Sequence, residues 1–216
     1  MDSAPLRPIA ARAARLTRRA RAGLSRLTVP EAVSGEDQWQ RVVLHRAVDR
    51  HLAALGYSGL AAAEISGDRY AARSWGHYES LDYPAFDLCA PLHGHRTYDV
   101  VVCEQVLEHV LDPRAAAANL RGLCAPGGHV VVSTPFLIRV HELPAYGMPD
   151  LWRFTPTGLR RLLEEGGLQV DRVDAWGNRD CVVGNLDRWA AQRPWHSLRN
   201  EPDLAVQVWA FARNPA

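Results

Sequence analysis

Residues 98–113 read YDVVVCEQVLEHVLDP, and residues 123–136 read LCAPGGHVVVSTPF. The first stretch opens on Val100-Val101-Val102 and closes on Asp112-Pro113. Aspartate at a cap with proline behind it starts a helix: the carboxylate serves exposed N–H groups, and proline lacks the N–H that would go unpaired. The second stretch turns at Gly127-Gly128 and runs into Val130-Val131-Val132. Strand, helix and strand in succession make a parallel crossover unit, and unbroken apolar strands are those buried on both faces.

The pattern extends in both directions. Strands are expected at Ala61–Ile65, His77–Leu81, Tyr98–Cys103, His129–Ser133, Leu168–Ala175 and Ala205–Ala212. Thr155 with Pro156 caps a further helix that runs through Leu159, Leu162 and Leu163 to Gly166. An earlier helix is expected over Glu36–Leu55, with Trp39, Val43, Val48, Leu52 and Leu55 on one side and Gly56 as its stop. Such alternation implies an α/β sandwich around a mostly parallel sheet. Residues 1–30 stand apart. They hold Arg7, Arg12, Arg15, Arg18, Arg19, Arg21 and Arg26 against Asp2 alone, with apolar residues at helical spacing. This reads as a basic amphipathic arm, either lying on the domain or meeting an anionic surface, ahead of a domain at 31–216.

Composition removes several function classes. The chain has 216 residues, 47% hydrophobic, with a formal net charge of +1. That excludes a wholly disordered chain and argues against a dedicated nucleic-acid binder. No apolar run approaches the ~18 residues of a membrane span. All 25 basic residues are arginine, a bias of composition rather than of function. Cys89, Cys103, Cys124 and Cys181 show no CxxC spacing and are expected as reduced thiols. With no apolar leader at the start, the expected location is the cytoplasm.

Parallel sheets bind ligands at the carboxyl ends of their strands. There the chain offers Glu64-Ile65-Ser66-Gly67-Asp68, then Asp82-Tyr83-Pro84 and Phe86-Asp87-Leu88, then Glu104-Gln105-Val106-Leu107-Glu108-His109. Together with the two opening stretches, these residues resemble a class I S-adenosylmethionine-dependent methyltransferase. The run Pro149-Asp150-Leu151-Trp152-Arg153-Phe154-Thr155-Pro156 resembles a subgroup of small bacterial members, of type 11 or 12. The resemblance implies a Rossmann-like three-layer sandwich with a mostly parallel seven-stranded sheet and an N-terminal helical extension. It also implies S-adenosyl-L-methionine as cofactor.

The resemblance assigns the cofactor to Glu64, Ser66, Gly67, Asp82, Tyr83, Asp87, Leu88, Glu104 and Gln105. Asp82 lies 18 residues beyond Glu64, where a carboxylate accepts hydrogen bonds from vicinal ribose hydroxyls. Asp87 would meet the adenine amino group, beside Leu88. Of the family's GxGxG loop only Gly67 is kept, and a sulfonium cofactor without a pyrophosphate asks less of a glycine cradle. His141 and His109 are the candidate catalytic groups, and Tyr146, Trp152 and Arg153 the candidate substrate contacts. No metal is expected: some methyltransferases hold a divalent ion with Glu-x-x-Glu-His here, and this chain has Gln105 at the first position.

The expected activity moves a methyl group to an oxygen or nitrogen atom of a small molecule, in specialised-metabolite or carbohydrate biosynthesis. Its partner is that substrate, with no nucleic acid and no membrane span, and with oligomeric state open, a dimer included. Two other classes compete. A non-catalytic scaffold on the same fold suits the reduced glycine loop. A nucleotide-dependent oxidoreductase would want a GxGxxG that is absent.

Overall fold

A computed structural model describes residues 38–215; the arm expected over residues 1–30 and the start of the helix expected from Glu36 lie outside them. The strands are β1 (Ala61–Ile65), β2 (His77–Leu81), β3 (Tyr98–Glu104), β4 (Cys124–Pro135), β5 (Gln169–Trp176) and β6 (Gln207–Arg213). The helices are α1 (Val42–Leu55), α2 (Pro113–Leu123), α3 (Pro156–Glu165) and a short α4 (Arg179–Gly184). Among the described residues no helix is long and apolar enough to cross a membrane.

The strands form one sheet in the order β2-β1-β3-β4-β6-β5. β1 to β4 run parallel, and β6 is antiparallel to both its neighbours. The period of two in β3 divides the core. Val100 and Val102 face Leu44, Val48 and Leu52 of α1, while Val101 and Cys103 face Leu120, Leu159 and Leu163 of α2 and α3. β6 does the same, with Trp209 and Phe211 on the α1 side and Val208, Ala210 and Ala212 on the other. Each fully buried leucine contributes about 1.5–3 kcal/mol relative to exposure. The result is a three-layer sandwich.

The expected seventh strand is corrected to a sheet of six among the described residues. The 16 residues between β2 and β3 carry Pro84, Pro91 and Gly94, the last at φ +72°. Two prolines and a left-handed glycine interrupt any strand ladder. The segment instead makes turns: Asp87 Oδ1 accepts the N–H of Cys89 at 2.8 Å. Asn119 of α2 donates to the Leu88 and Ala90 carbonyls, both at 2.8 Å, which ties the turns to the core. α4, which no strong pattern foretold, is capped by the Asn178 side chain accepting from the Cys181 N–H.

The helix caps are as the sequence predicts. Asp112 Oδ1 accepts from Arg114 N at 2.9 Å and Ala115 N at 3.1 Å, and the Thr155 hydroxyl accepts from Gly158 N at 3.0 Å. α1 begins later than expected, after a 3₁₀ turn at Trp39–Arg41, and ends at Gly56 with φ 63°. Asp112→Ala should cost about 1 kcal/mol. A urea midpoint unchanged within error would show that the cap adds nothing to stability.

Candidate active site

The sheet order reverses between β1 and β3, the switch point where open α/β sheets form their crevice. A cavity of about 520 Å³ opens there. Ile65 and Ser66 follow β1, and Asp82 and Tyr83 follow β2; with Phe86, Asp87 and Leu88 they form one wall. Gln105, Val106, His109 and Val110 follow β3 and form the opposite wall. Leu143, Tyr146, Met148 and Pro149 cover it from the segment after β4.

Two cavity residues carry backbone strain. Ser66 has φ 53° and Gln105 φ 58°, left-handed conformations that non-glycine residues rarely adopt. Both lie where a parallel strand ends, and their N–H groups still donate to neighbouring strands: Ser66 to the Leu81 carbonyl, Gln105 to that of Ser133. Such strain concentrates at ligand-binding turns.

Gly67 is required by a close approach. A Cβ there would lie 2.7 Å from Glu64 Oε1. Glu64 is buried, and its carboxylate accepts the N–H groups of Arg69 (3.1 Å) and Tyr70 (3.0 Å) and the Tyr78 hydroxyl (2.7 Å). Burial and this hydrogen bond push the Tyr78 hydroxyl pKa up. The expected contact of Glu64 with the ligand is therefore replaced by an internal one: Glu64 shapes the loop that presents Ser66. Glu104 is likewise turned from the cavity. It shares the face of Val100 and Val102, accepts from the Tyr70 hydroxyl at 3.0 Å and lies 3.7 Å from His45 Nε2. Burial raises its carboxyl to about 7 and lowers His45 to about 3, so this histidine is neutral near pH 7.

The structure places the two candidate histidines differently. His109 lines the cavity and His141 lies behind it, the rings 5.1 Å apart and nearly perpendicular. His109 Nδ1 lies 2.7 Å from the Pro149 carbonyl. His141 Nδ1 lies 3.1 Å from Asp150 Oδ2. Burial lowers the His141 pKa, outweighing Asp150. Asp150 accepts from both Arg153 guanidinium nitrogens and from the His141 N–H; these contacts overcome burial and hold its carboxyl below the usual range. Arg153 is thus committed to Asp150 and does not line the cavity. Trp152 donates its indole N–H to the Val110 carbonyl at 2.8 Å, and the Glu108 carbonyl accepts from Leu151 N at 2.7 Å. Both expected substrate contacts latch the covering segment, whereas Tyr146 stays on the cavity with 63% of its surface exposed.

Glu108, which the sequence reading left out of the site, is fully buried beside both histidines. Neither of its carboxylate oxygens has a hydrogen-bond partner, and burial pushes its carboxyl up to about 8. Its place directly before His109, in a loop between strand and helix, was the available signal.

The methyltransferase domain family matches residues 37–173, well over half of the chain. This chain belongs to the class I S-adenosylmethionine-dependent methyltransferases. Among curated relatives, a ubiquinone biosynthesis O-methyltransferase of Vibrio parahaemolyticus is 53% identical over 63 residues, 29% of this chain and 27% of that protein. The Thiobacillus denitrificans protein of the same name is 33% identical over 111 residues, 44% of this chain and 47% of its own length. The chain thus spans under half of these relatives. The methyltransferase in complex with the Haloferax volcanii Trm112 activator shares the fold at TM-score 0.53 and 15% identity, covering 82% of this chain and 95% of that one. Phosphoethanolamine N-methyltransferase 2 of Haemonchus contortus, solved with S-adenosylmethionine, shares it at TM-score 0.51 and 13% identity, covering 78% and 53%.

S-adenosylmethionine is the cofactor of the methyltransferase. The cavity fits it: about 520 Å³ suits a nucleoside with a side chain, and the Asp82 carboxylate stands exposed on its wall at the end of β2.

Proposed function

We propose that this methyltransferase acts on an oxygen or nitrogen atom of a small molecule held between His109 and the covering segment. The observation that carries this reading is the division of the cavity. Asp82, Asp87 and Leu88 stand on one wall, and His109 with Val106, Val110, Leu111, Leu143 and Met148 on the other. S-adenosylmethionine supplies an electrophilic methyl group on a sulfonium. Asp82 would hold its ribose, Asp87 and Leu88 its adenine, and Ser66, Tyr83 and Gln105 would flank the remainder. Glu64, Gly67 and Glu104 act from behind by shaping the β1 loop. His109 would face the acceptor's heteroatom, with Tyr146 beside its body, while the apolar wall excludes water and aligns the acceptor for in-line attack.

The apolar wall suits a ring or aliphatic acceptor better than a bare sugar. Within the specialised-metabolite or carbohydrate setting expected from sequence, that favours an aglycone. The names of the curated relatives agree with an oxygen acceptor.

The test is incorporation of labelled methyl from S-adenosylmethionine across a panel of phenols, hydroxy acids and amines. With an acceptor in hand, His109→Ala should lower kcat by about a hundredfold or more, with cofactor affinity within twofold of wild type. Equal losses in both would move His109 to the cofactor side. Cofactor binding with no transfer to any acceptor class would favour the scaffold reading.

A further inference from the structure

Glu108, His109 and His141 turn metal-ligating atoms toward one another at the inner edge of the cavity. The Pro149 carbonyl can only accept, so His109 carries its proton on Nδ1 and leaves a lone pair on Nε2. Asp150, kept ionised by Arg153, fixes the His141 proton on Nδ1 in the same way. Both free Nε2 atoms face Glu108 Oε1, at 4.0 Å from His109 and 3.9 Å from His141. The carboxylate has no hydrogen-bond donor at either oxygen and is fully buried. A buried carboxyl group without a partner, set between two imidazole nitrogens, is costly to leave so unless a proton or a cation is shared among them.

We propose that Glu108, His109 and His141 bind a divalent first-row transition cation, with an open coordination position on the cavity side of His109. The three donor atoms lie within 4.8 Å of one another. Zinc-class ions take nitrogen and oxygen ligands at about 2.0–2.2 Å, so in a tetrahedral or trigonal shell the ligand atoms stand roughly 3.3–3.7 Å apart, and the three side chains draw together by up to roughly 1.5 Å when the ion binds. Two imidazoles select such an ion over magnesium or calcium, which prefer all-oxygen shells. The outer partners of both rings, a carbonyl and an arginine-held carboxylate, are those that orient ligating histidines.

The ligand set is not the one weighed from the sequence. Gln105 is turned away, its amide donating to Ser133 Oγ at 3.0 Å and to Gln207 Oε1 at 2.8 Å. His141, from the loop after β4, fills the third place. The site stands on the cluster alone; its use in catalysis rests on the methyltransferase reading, in which the acceptor's heteroatom would meet the ion from the cavity.

The test is metal binding by the full chain, stripped with a chelator, titrated with Zn²⁺ by calorimetry and with Co²⁺ by visible absorption. One equivalent should bind to the wild type, with a Co²⁺ spectrum of low coordination number. Glu108→Gln and His141→Ala should each weaken binding at least about a hundredfold while keeping the wild-type circular dichroism. Asp150→Asn should weaken it about tenfold or more, through His141 alone. Gln105→Ala should bind as wild type does. No binding to the wild type, undiminished binding in both folded ligand variants, or an equal loss in Gln105→Ala would each overturn the proposal. If a ligand variant does not fold, His141→Gln with the Co²⁺ spectrum decides: an unchanged spectrum overturns the site.

Discussion

Asp82→Ala should weaken S-adenosylmethionine binding by roughly ten- to a hundredfold, the loss expected when hydrogen bonds from a ligand to a carboxylate are removed. The carboxylate is set in advance. The Ser80 hydroxyl lies 3.0 Å from Asp82 and 2.6 Å from the Gly67 carbonyl, so one side chain joins the end of β2 to the loop after β1. A carboxylate at that place has two oxygens with which to accept from two vicinal hydroxyls. Asp82→Asn keeps one acceptor oxygen and should fall between wild type and the alanine variant. Calorimetry on the folded variants reads the effect, and wild-type affinity in Asp82→Ala would remove the ribose assignment.

Gly177→Ala, just past the end of β5, should destabilise the fold by about 3 kcal/mol or more. A Cβ at this position would lie 2.0 Å from the Leu204 carbonyl oxygen and 2.5 Å from the Val206 nitrogen. Both are backbone atoms on the approach to β6, and no rotamer change can clear them. They are also held in place: Gly177 donates to Asn200 Oδ1 at 3.0 Å and accepts from Glu201 N at 2.7 Å, and Val206 N donates to the Trp176 carbonyl at 2.8 Å. Urea unfolding should show a sharply lower midpoint. A variant within about 0.5 kcal/mol of wild type would mean that the two segments part easily.

Most of the fold was legible because strands buried on both faces carry valine runs that no helix pattern imitates. β1 and β2 were read to the residue. The seventh strand came from resemblance, not from residues; Pro84, Pro91 and Gly94 already spoke against it. Strand ends were legible as site positions, yet side-chain direction was not drawn from them. The period of two in β3 would have assigned Glu104 to the face of Val100 and Val102, away from the cavity. Glu64 was beyond such reasoning, since its partners lie along its own loop at Arg69 and Tyr70. The pairing of Arg153 with Asp150, and of His141 with Glu108, depends on how a long irregular segment folds back, and no periodicity encodes that.

Gln105 and His109, both on the cavity, belong to one short run of chain between β3 and α2. The spacing of these two cavity residues is therefore set by that run, anchored at one end in the central sheet and at the other by a capped helix. Leu143, Tyr146, Gly147, Met148 and Pro149 line the same cavity from a separate segment after β4. A substitution in that outer segment would reshape the cover of the cavity while leaving the spacing set by the run after β3 unchanged.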